Sequence, residues 1–217
     1  MQLTGRKLSD IICLDEFTHI IGVDEAGWGA LAGPISVGSA MVTVEEADSL
    51  DIKDSKKYTT EKSREAALDA ATEILAQYSW RFAHPREIED KGYMGCLYSL
   101  QDHVIRDLYD WGDTLIKEFR PLVVVDGNKL YKGLIEGVTY LSIPKADDFV
   151  PVVSAASCVA KVLRDDYMCQ LDEAYPDWLF YKHKGYGTQE HIKLLKDLGP
   201  IKDIHREGPV NNTLNKG

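Results

Sequence analysis

This chain has little cysteine: four in 217 residues, at Cys13, Cys96, Cys158 and Cys169. They stand far apart. None forms a CxxC or a Cys/His spacing suited to zinc, so neither a disulfide framework nor a structural zinc site organises the fold. They read as free thiols and small buried hydrophobes, with Cys158 and Cys169 in a helical pattern. Long hydrophobic runs are also missing. No stretch approaches the roughly 18 apolar residues that a membrane span needs. The segment from Met1 to Phe17 lacks the apolar centre of a signal peptide. The expected location is the cytoplasm or another reducing compartment, with no membrane partner. Glycine, serine and proline nowhere gather into a linker, and no internal repeat or low-complexity tract is visible, so a single domain over 1–217 is expected. Basic charge is in deficit: 25 Lys and Arg against 35 Asp and Glu, a formal net charge of −10. Taken alone, that argues against a nucleic-acid partner. The local field decides, however, and metal ions can neutralise a cluster of acids.

What the chain does have is a pair of adjacent acids in a glycine-rich turn after an apolar run, Ile20-Ile21-Gly22-Val23-Asp24-Glu25-Ala26-Gly27-Trp28-Gly29. A short strand delivers Asp24 and Glu25 to a sheet rim, and the glycines let another molecule's backbone approach them. Hard carboxylate oxygens on a rigid strand suit divalent cations, and such cations suit phosphate chemistry.

The periodicity predicts strands over 20–23 and 35–44, with Gly33-Pro34 as the turn between. A helix is predicted over 60–77, capped by Thr59 or Thr60, with a stripe of Ala66, Ala67, Ala70, Ile74 and Leu75. A strand follows over 78–83, then a long helix over 94–119 that Trp111-Gly112 is expected to interrupt. Strands over 122–125 and 140–143 precede a small-residue helix over 152–175 and a shorter helix over 188–198. Strands first, then strands alternating with helices, imply an α/β sheet domain followed by a helical C-terminal part.

Asp126 repeats the first arrangement, since Leu122-Val123-Val124-Val125 leads into the acid and Gly127-Asn128 follows. Asp147 follows Lys145, in the loop before the helix that carries Ser154-Ala155-Ala156-Ser157. Each acid also has an ordinary structural role open to it. Asp-Gly is a turn former, and Asp147-Asp148 can stabilise a helix start. Together Asp24, Glu25, Asp126 and Asp147 make a set able to hold two Mg²⁺ or Mn²⁺ ions about a phosphodiester.

The motifs occur in a fixed order. Asp24-Glu25-Ala26-Gly27 with Leu31-Ala32-Gly33-Pro34 comes first, then Asp54-Ser55-Lys56-Lys57, Val125-Asp126-Gly127-Asn128 and Lys145-Ala146-Asp147. Ser154-Ala155-Ala156-Ser157 with Ala160-Lys161 and Arg164-Asp165, then His183-Lys184-Gly185-Tyr186-Gly187-Thr188, and Gly199-Pro200 with His205-Arg206 complete it. This ordered set, from Ile20 to Pro209, resembles ribonuclease HII, the type 2 ribonuclease H family.

The resemblance implies a ribonuclease H-like fold: a mixed five-stranded sheet flanked by helices, with a C-terminal helical segment. Here that means a core over 18–175 and a helical segment and tail over 176–217. It implies a metal-dependent hydrolase that cleaves the RNA strand of RNA–DNA hybrids and cuts at ribonucleotides embedded in duplex DNA, acting as a monomer. Asp24, Glu25, Asp126 and Asp147 match the family's catalytic, metal-binding carboxylates. Tyr186 matches the tyrosine that packs on the sugar beside the scissile position. The family's usual Gly-Arg-Gly turn, which contacts the ribonucleotide's 2′-OH, reads Gly27-Trp28-Gly29 here, and the proline that usually follows is Ala30. The arginine's charge is lost, and Trp28 is left either to stack on a sugar or base or to cover apolar surface. Lys56, Lys57, Lys161 and Lys184 are expected phosphate contacts, and Asn128 a further substrate contact. The competing functions are a catalytically silent nucleic-acid-binding module and a metal nuclease acting on DNA junctions.

Overall fold

The computed structural model describes residues 7–128 and 135–215. Five strands form one mixed sheet: β1 (His19–Ala26), β2 (Ile35–Thr43), β3 (Gln77–Ala83), β4 (Pro121–Asp126) and β5 (Thr139–Ile143). Their order across the sheet is β3-β2-β1-β4-β5. The first three meander antiparallel, while β1 pairs parallel with β4, and β4 with β5. The mixed five-stranded sheet expected from the sequence is therefore present.

β1 and β4 are covered on both faces, which is why they read as unbroken apolar runs. Ile20, Leu122 and Val124 belong to one core layer, while Ile21, Val23, Val123 and Val125 belong to the opposite one. The helices are α1 (Glu61–Thr72), α2 (Pro85–Lys91), α3 (Tyr93–Leu115), α4 (Pro151–Ala174), α5 (Phe180–His183), α6 (Gln189–Leu198) and α7 (Glu207–Leu214). α3 supplies Val104, Ile105 and Leu108 to the second layer, and α4 supplies Val153, Ala156 and Val159 to the first. The small residues of α4 let its backbone lie almost on the sheet. A Cβ on Gly22 would stand 2.5 Å from the Val152 carbonyl oxygen, and one on Gly38 would stand 2.5 Å from that of Ala156. Any larger residue at these two strand positions would push α4 away.

Several boundaries differ from the periodicity. α1 stops at Thr72 instead of Gln77, and its buried face is Arg64, Leu68 and Ala71, with Ala66 and Ala70 exposed. Alanine marks no face by itself; the long Leu68 and Arg64 choose it. Thr60 provides the cap, its hydroxyl accepting from Ser63 N–H at 3.1 Å. Trp111-Gly112 does not interrupt α3, because Gly112 leaves room for the Phe119 ring against the helix. Three helices were not predicted by the periodicity: α2, the four-residue α5, and α7. In α2, Pro85 takes the first position and Glu87 accepts from the His84 N–H at 3.1 Å. In α7, Gly208-Pro209 falls in the first turn, where a missing N–H costs nothing.

Candidate active site

Strand register brings the acids together. Val23 pairs with Val125 across the parallel β1–β4 ladder, so Asp24 and Asp126 follow at neighbouring strand ends. Asp126 pairs with Ile143 on β5. The chain then turns through Lys145, whose backbone is left-handed (φ 58°), into Ala146 and Asp147. The Ala146 N–H donates to Asp126 Oδ1 at 2.7 Å, and Ser154 on α4 donates to the Asp147 carbonyl at 2.7 Å. These two bonds fix the Asp147 loop against β4.

Asp24 and Asp147 are buried, and Glu25 and Asp126 half-buried. Every one of the four carboxyls is raised from its ordinary value, Asp24 well above it. For Asp24 the cause is burial, then the charges of Glu25 and Asp126; for Glu25 it is burial, then Asp126. For Asp126 it is burial, then Asp147; for Asp147 it is burial, then Asp54. Burial dominates throughout, and the charges that follow it are chiefly those of the other acids in the set. The buried Asp54 is a fifth carboxylate of the cluster, which the sequence marked only as part of a motif.

Lys56 is the internal countercharge, its ammonium 3.3 Å from Asp147 Oδ2 and 3.9 Å from Asp54 Oδ1. One ammonium among five acids leaves the site electron-rich. Asp24 Oδ1 accepts from the Glu25 N–H at 2.8 Å. The nearby Ser157 hydroxyl eases the charge on Asp24, but it pairs with Ser55 Oγ at 3.0 Å. Asp24 Oδ2 is left buried with no hydrogen-bond partner. Among the described residues, no three His, Cys, Asp or Glu side chains form a ready-made metal cage. Mg²⁺ needs no such cage, since it takes one or two carboxylates and keeps several waters. An orphaned carboxylate oxygen in an all-oxygen acid cluster fits that requirement.

Two buried arginines hold the glycine turn beside the acids. Arg164 on α4 donates to the carbonyls of Pro34 (2.9 Å), Lys184 (2.9 Å) and Ala32 (3.2 Å). Arg206 donates to Gly33 (2.9 Å) and Trp28 (3.1 Å). Gly27 has a φ of +84°, and a Cβ there would collide with the Arg164 side chain, so this position requires glycine. Among the described residues, chain neighbours aside, none comes within 4 Å of where a Gly29 Cβ would stand, leaving that side open to a ligand. Trp28 is 40% exposed and packs edge-on against Tyr93, ring centres 5.3 Å apart. Both arginines were legible only as letters within motifs. Nothing in their spacing announces that they bind main chain instead of acid.

Tyr186 joins this turn through a backbone bridge to Ala30, and the Leu31 N–H donates to the Gly185 carbonyl at 2.8 Å. Lys161 and Arg164 lie over its ring at 5.3 and 5.0 Å. The four expected phosphate lysines are all paired within the chain. Lys57 meets Asp148 at 2.7 Å, and Lys161 meets Asp165 at 2.5 Å. Lys184 is buried between Glu61 (2.9 Å) and Cys169 Sγ (2.9 Å). Lys56 and Lys57 stay exposed enough to swing outward; Lys161 and Lys184 do not. Asn128 is exposed next to Asp126, beside the acid cluster.

The family described as ribonuclease HII matches residues 21–208. The chain is 39% identical over 193 residues to a ribonuclease HII of Fusobacterium nucleatum, covering 88% of this chain and 86% of that one. Among solved structures, the ribonuclease H2 of Pyrococcus horikoshii OT3 superposes with a TM-score of 0.67 at 24% identity, over 91% of this chain and 98% of its own. Bst-RNase HIII in complex with Mn²⁺ superposes with a TM-score of 0.70 at 17% identity, over 93% of this chain and 71% of its own. These likenesses between structures speak for the fold.

Proposed function

The chain belongs to the ribonuclease HII family, and from that premise we propose that it is a metal-dependent endoribonuclease acting on the RNA strand of RNA–DNA hybrids and on the 5′ side of ribonucleotides embedded in duplex DNA. The products carry a 3′-hydroxyl and a 5′-phosphate. The observation that carries this reading is the convergence of Asp24, Glu25, Asp126 and Asp147 at the sheet rim, with one buried oxygen of Asp24 left unpaired. Asp24 and Asp126 would hold most of the metal charge, with Glu25 and Asp147 completing the ligand set. Bound Mg²⁺ or Mn²⁺ supplies a lowered water pKa and compensation for charge developing on the phosphate. The protein's own groups do the rest. Glu25 and Asp147 orient the attacking water. The open backbone at Gly27 and Gly29 and the Tyr186 ring address the ribose, whose 2′-OH separates RNA from DNA. Lys56 and Lys57, released from Asp147 and Asp148, meet phosphate and position the duplex without reading its sequence.

All four acids come from one chain, which supports a working monomer. Its four cysteines are free, and two of them are buried, with burial pushing the Cys158 thiol up to about 12, which suits a reducing cytoplasm. No helix among the described residues is long and apolar enough to cross a membrane.

The test offers the purified protein a duplex with one embedded ribonucleotide, a longer hybrid and an all-DNA control, across Mg²⁺ and Mn²⁺ concentrations. Cutting of the first two alone is expected. No cutting of either by folded protein rejects the enzyme, and equal cutting of the all-DNA control rejects ribonucleotide selectivity.

A further inference from the structure

Far from the acids, the sheet ends in a strand that the helices do not hide. β3 closes the strand order, with β2 as its neighbour. α4 lies over β1 and β2, where Gly22 and Gly38 let it come close, and leaves Tyr78 and Trp80 38% and 40% exposed beyond its flank. The two rings share one face of the strand and stack with centres 6.3 Å apart. Phe82 continues the row and meets Tyr167 of α4 at 5.6 Å. Edge strands are ordinarily blunted by proline, lysine or a bulge, because their open N–H and C=O groups invite another strand. Gln77-Tyr78-Ser79-Trp80-Arg81-Phe82-Ala83 has neither proline nor lysine. Its ladder with β2 runs without a bulge from Ile35–Ala83 to Met41–Gln77. Its one charge, Arg81, is neutralised by Asp107 of α3 at 2.6 Å.

The strand's other face selects the occupant. Ser79 donates to Asp107 at 2.5 Å, so Ser79, Arg81 and Asp107 form one cluster beside the edge. The Arg81 and Asp107 side chains remain 47% and 33% exposed. A second copy of β3 can pair with the first antiparallel about a two-fold axis. Residues directly opposite share a face, so the axis falls on a residue. An axis at Arg81 sets two guanidiniums opposite each other. An axis at Ser79 brings the two Asp107 carboxylates together. Like charges directly opposite are destabilising. An axis at Trp80 instead puts each Arg81 opposite the other copy's Ser79, and so beside the other copy's Asp107. On the aromatic face the same register sets Trp80 against Trp80 and Tyr78 against Phe82, cross-strand aromatic pairs of the kind that stabilise sheets.

We propose that two copies of this chain pair antiparallel along β3 with Trp80 on the two-fold axis, joining their sheets edge to edge. Such an interface is self-complementary and closed, so assembly stops at the dimer. The acids stand at the end of β1, two strands in from this edge, so each copy keeps a complete site. One strand edge with its aromatic row is a small interface of the transient class.

Sedimentation velocity of the full chain tests this. Between about 1 and 100 µM the mass is expected to pass from monomer to dimer, the micromolar strength of a small interface. In hydrogen exchange on the unaltered protein, the amides of residues 78–82 are expected to slow as concentration rises. Trp80→Lys sets two ammonium groups on the axis and is expected to give a monomer at every concentration. Its cleavage activity should be unchanged, because Trp80 lies outside the acid site. A monomer throughout for the unaltered chain overturns the proposal and leaves the edge to a partner of different sequence. So does a dimer whose β3 amides gain no protection, or one that survives Trp80→Lys. The exchange measurement decides even if the variant fails to fold. None of these outcomes touches the ribonuclease reading, which the cleavage assay tests separately.

Discussion

Asp126 owes its position to three ordinary facts: a four-residue apolar run before it, Gly127 after it, and the Ala146 N–H that holds its Oδ1 at 2.7 Å. Its environment is less ordinary, since burial and the neighbouring Asp147 both raise its affinity for a proton. Asp126→Asn keeps the shape and the hydrogen bond but removes one charge. Turnover should disappear while the fold persists, as a cleavage assay and circular dichroism would report together. In chelator at neutral pH the variant should be more stable than the parent, by on the order of 1 kcal/mol for one like-charge contact relieved. Adding Mg²⁺ or Mn²⁺ should stabilise the parent, by about 2.7 kcal/mol at a hundredfold excess over Kd, and the variant much less. Trp28 is tested by a different measurement. Trp28→Arg trades an exposed aromatic face in the glycine turn for a charge that can meet phosphate. The ratio of single-ribonucleotide to hybrid cleavage should rise, and an unchanged ratio would mean that Trp28 does not set the preference.

Helices α4, α5 and α6 act on the site through buried polar contacts. Arg164 reaches from α4 to three carbonyls on two loops, so Arg164→Met strands three buried acceptors. At about 1–3 kcal/mol for each, a stability loss of at least about 3 kcal/mol is expected in denaturant titration. Activity should fall with it, because Gly27 to Pro34 and Tyr186 lose a common anchor. Near-normal stability would remove Arg164 from that role.

The C-terminal segment is locked by three buried histidines whose tautomers follow from their partners. His183 Nε2 donates to the Trp178 carbonyl (2.8 Å), and its Nδ1 accepts from the Gly185 N–H (3.2 Å). His191 Nδ1 donates to the Tyr186 carbonyl (2.9 Å), which leaves its Nε2 to accept from His205 Nε2 (3.1 Å). His205 Nδ1 then accepts from the Ile201 N–H (3.0 Å). Each ring is satisfied only when neutral, so an added proton breaks a bond. Burial first, then the neighbouring imidazole, lowers His191 and His205 to about 4. The unfolded chain binds these protons near pH 6.5. The stabilisation is therefore complete above pH 6.5 and is lost as the pH falls toward 4, with a slope of up to about 1.4 kcal/mol per pH unit for each ring. Denaturant titrations across that window should show the slope, and His205→Gln should flatten it.

For the whole molecule, the sheet was legible because β1 and β4 are buried on both faces and end in acids beside glycine. Their apolar runs carried strand, rim and site at once. What escaped the sequence depends on groups that patterning does not weigh. The buried face of α1 is chosen by Arg64, which pairs with Asp165 on α4 at 3.3 Å. Asp54 joins the acid cluster from a loop. The pairing of the lysines was likewise hidden, and it sharpens a prediction about how a chain of net charge −10 grips a polyanion. Each phosphate neutralised by a lysine contributes about −0.9 to the slope of log affinity against log salt on B-form DNA. Lys56 and Lys57 have side chains 74% and 43% exposed, and the exposed pair with Asp148 holds Lys57 by only about 0–1 kcal/mol. Lys161 and Lys184 are 18% and 7% exposed and tied to Asp165 and Glu61. Replacing Lys56 or Lys57 by alanine should flatten the salt slope by about one for each, while Lys161→Ala and Lys184→Ala should lower stability and leave the slope alone. Equal flattening by all four would show that the buried pairs open on the duplex, and no flattening by any would move the phosphate contacts to other residues.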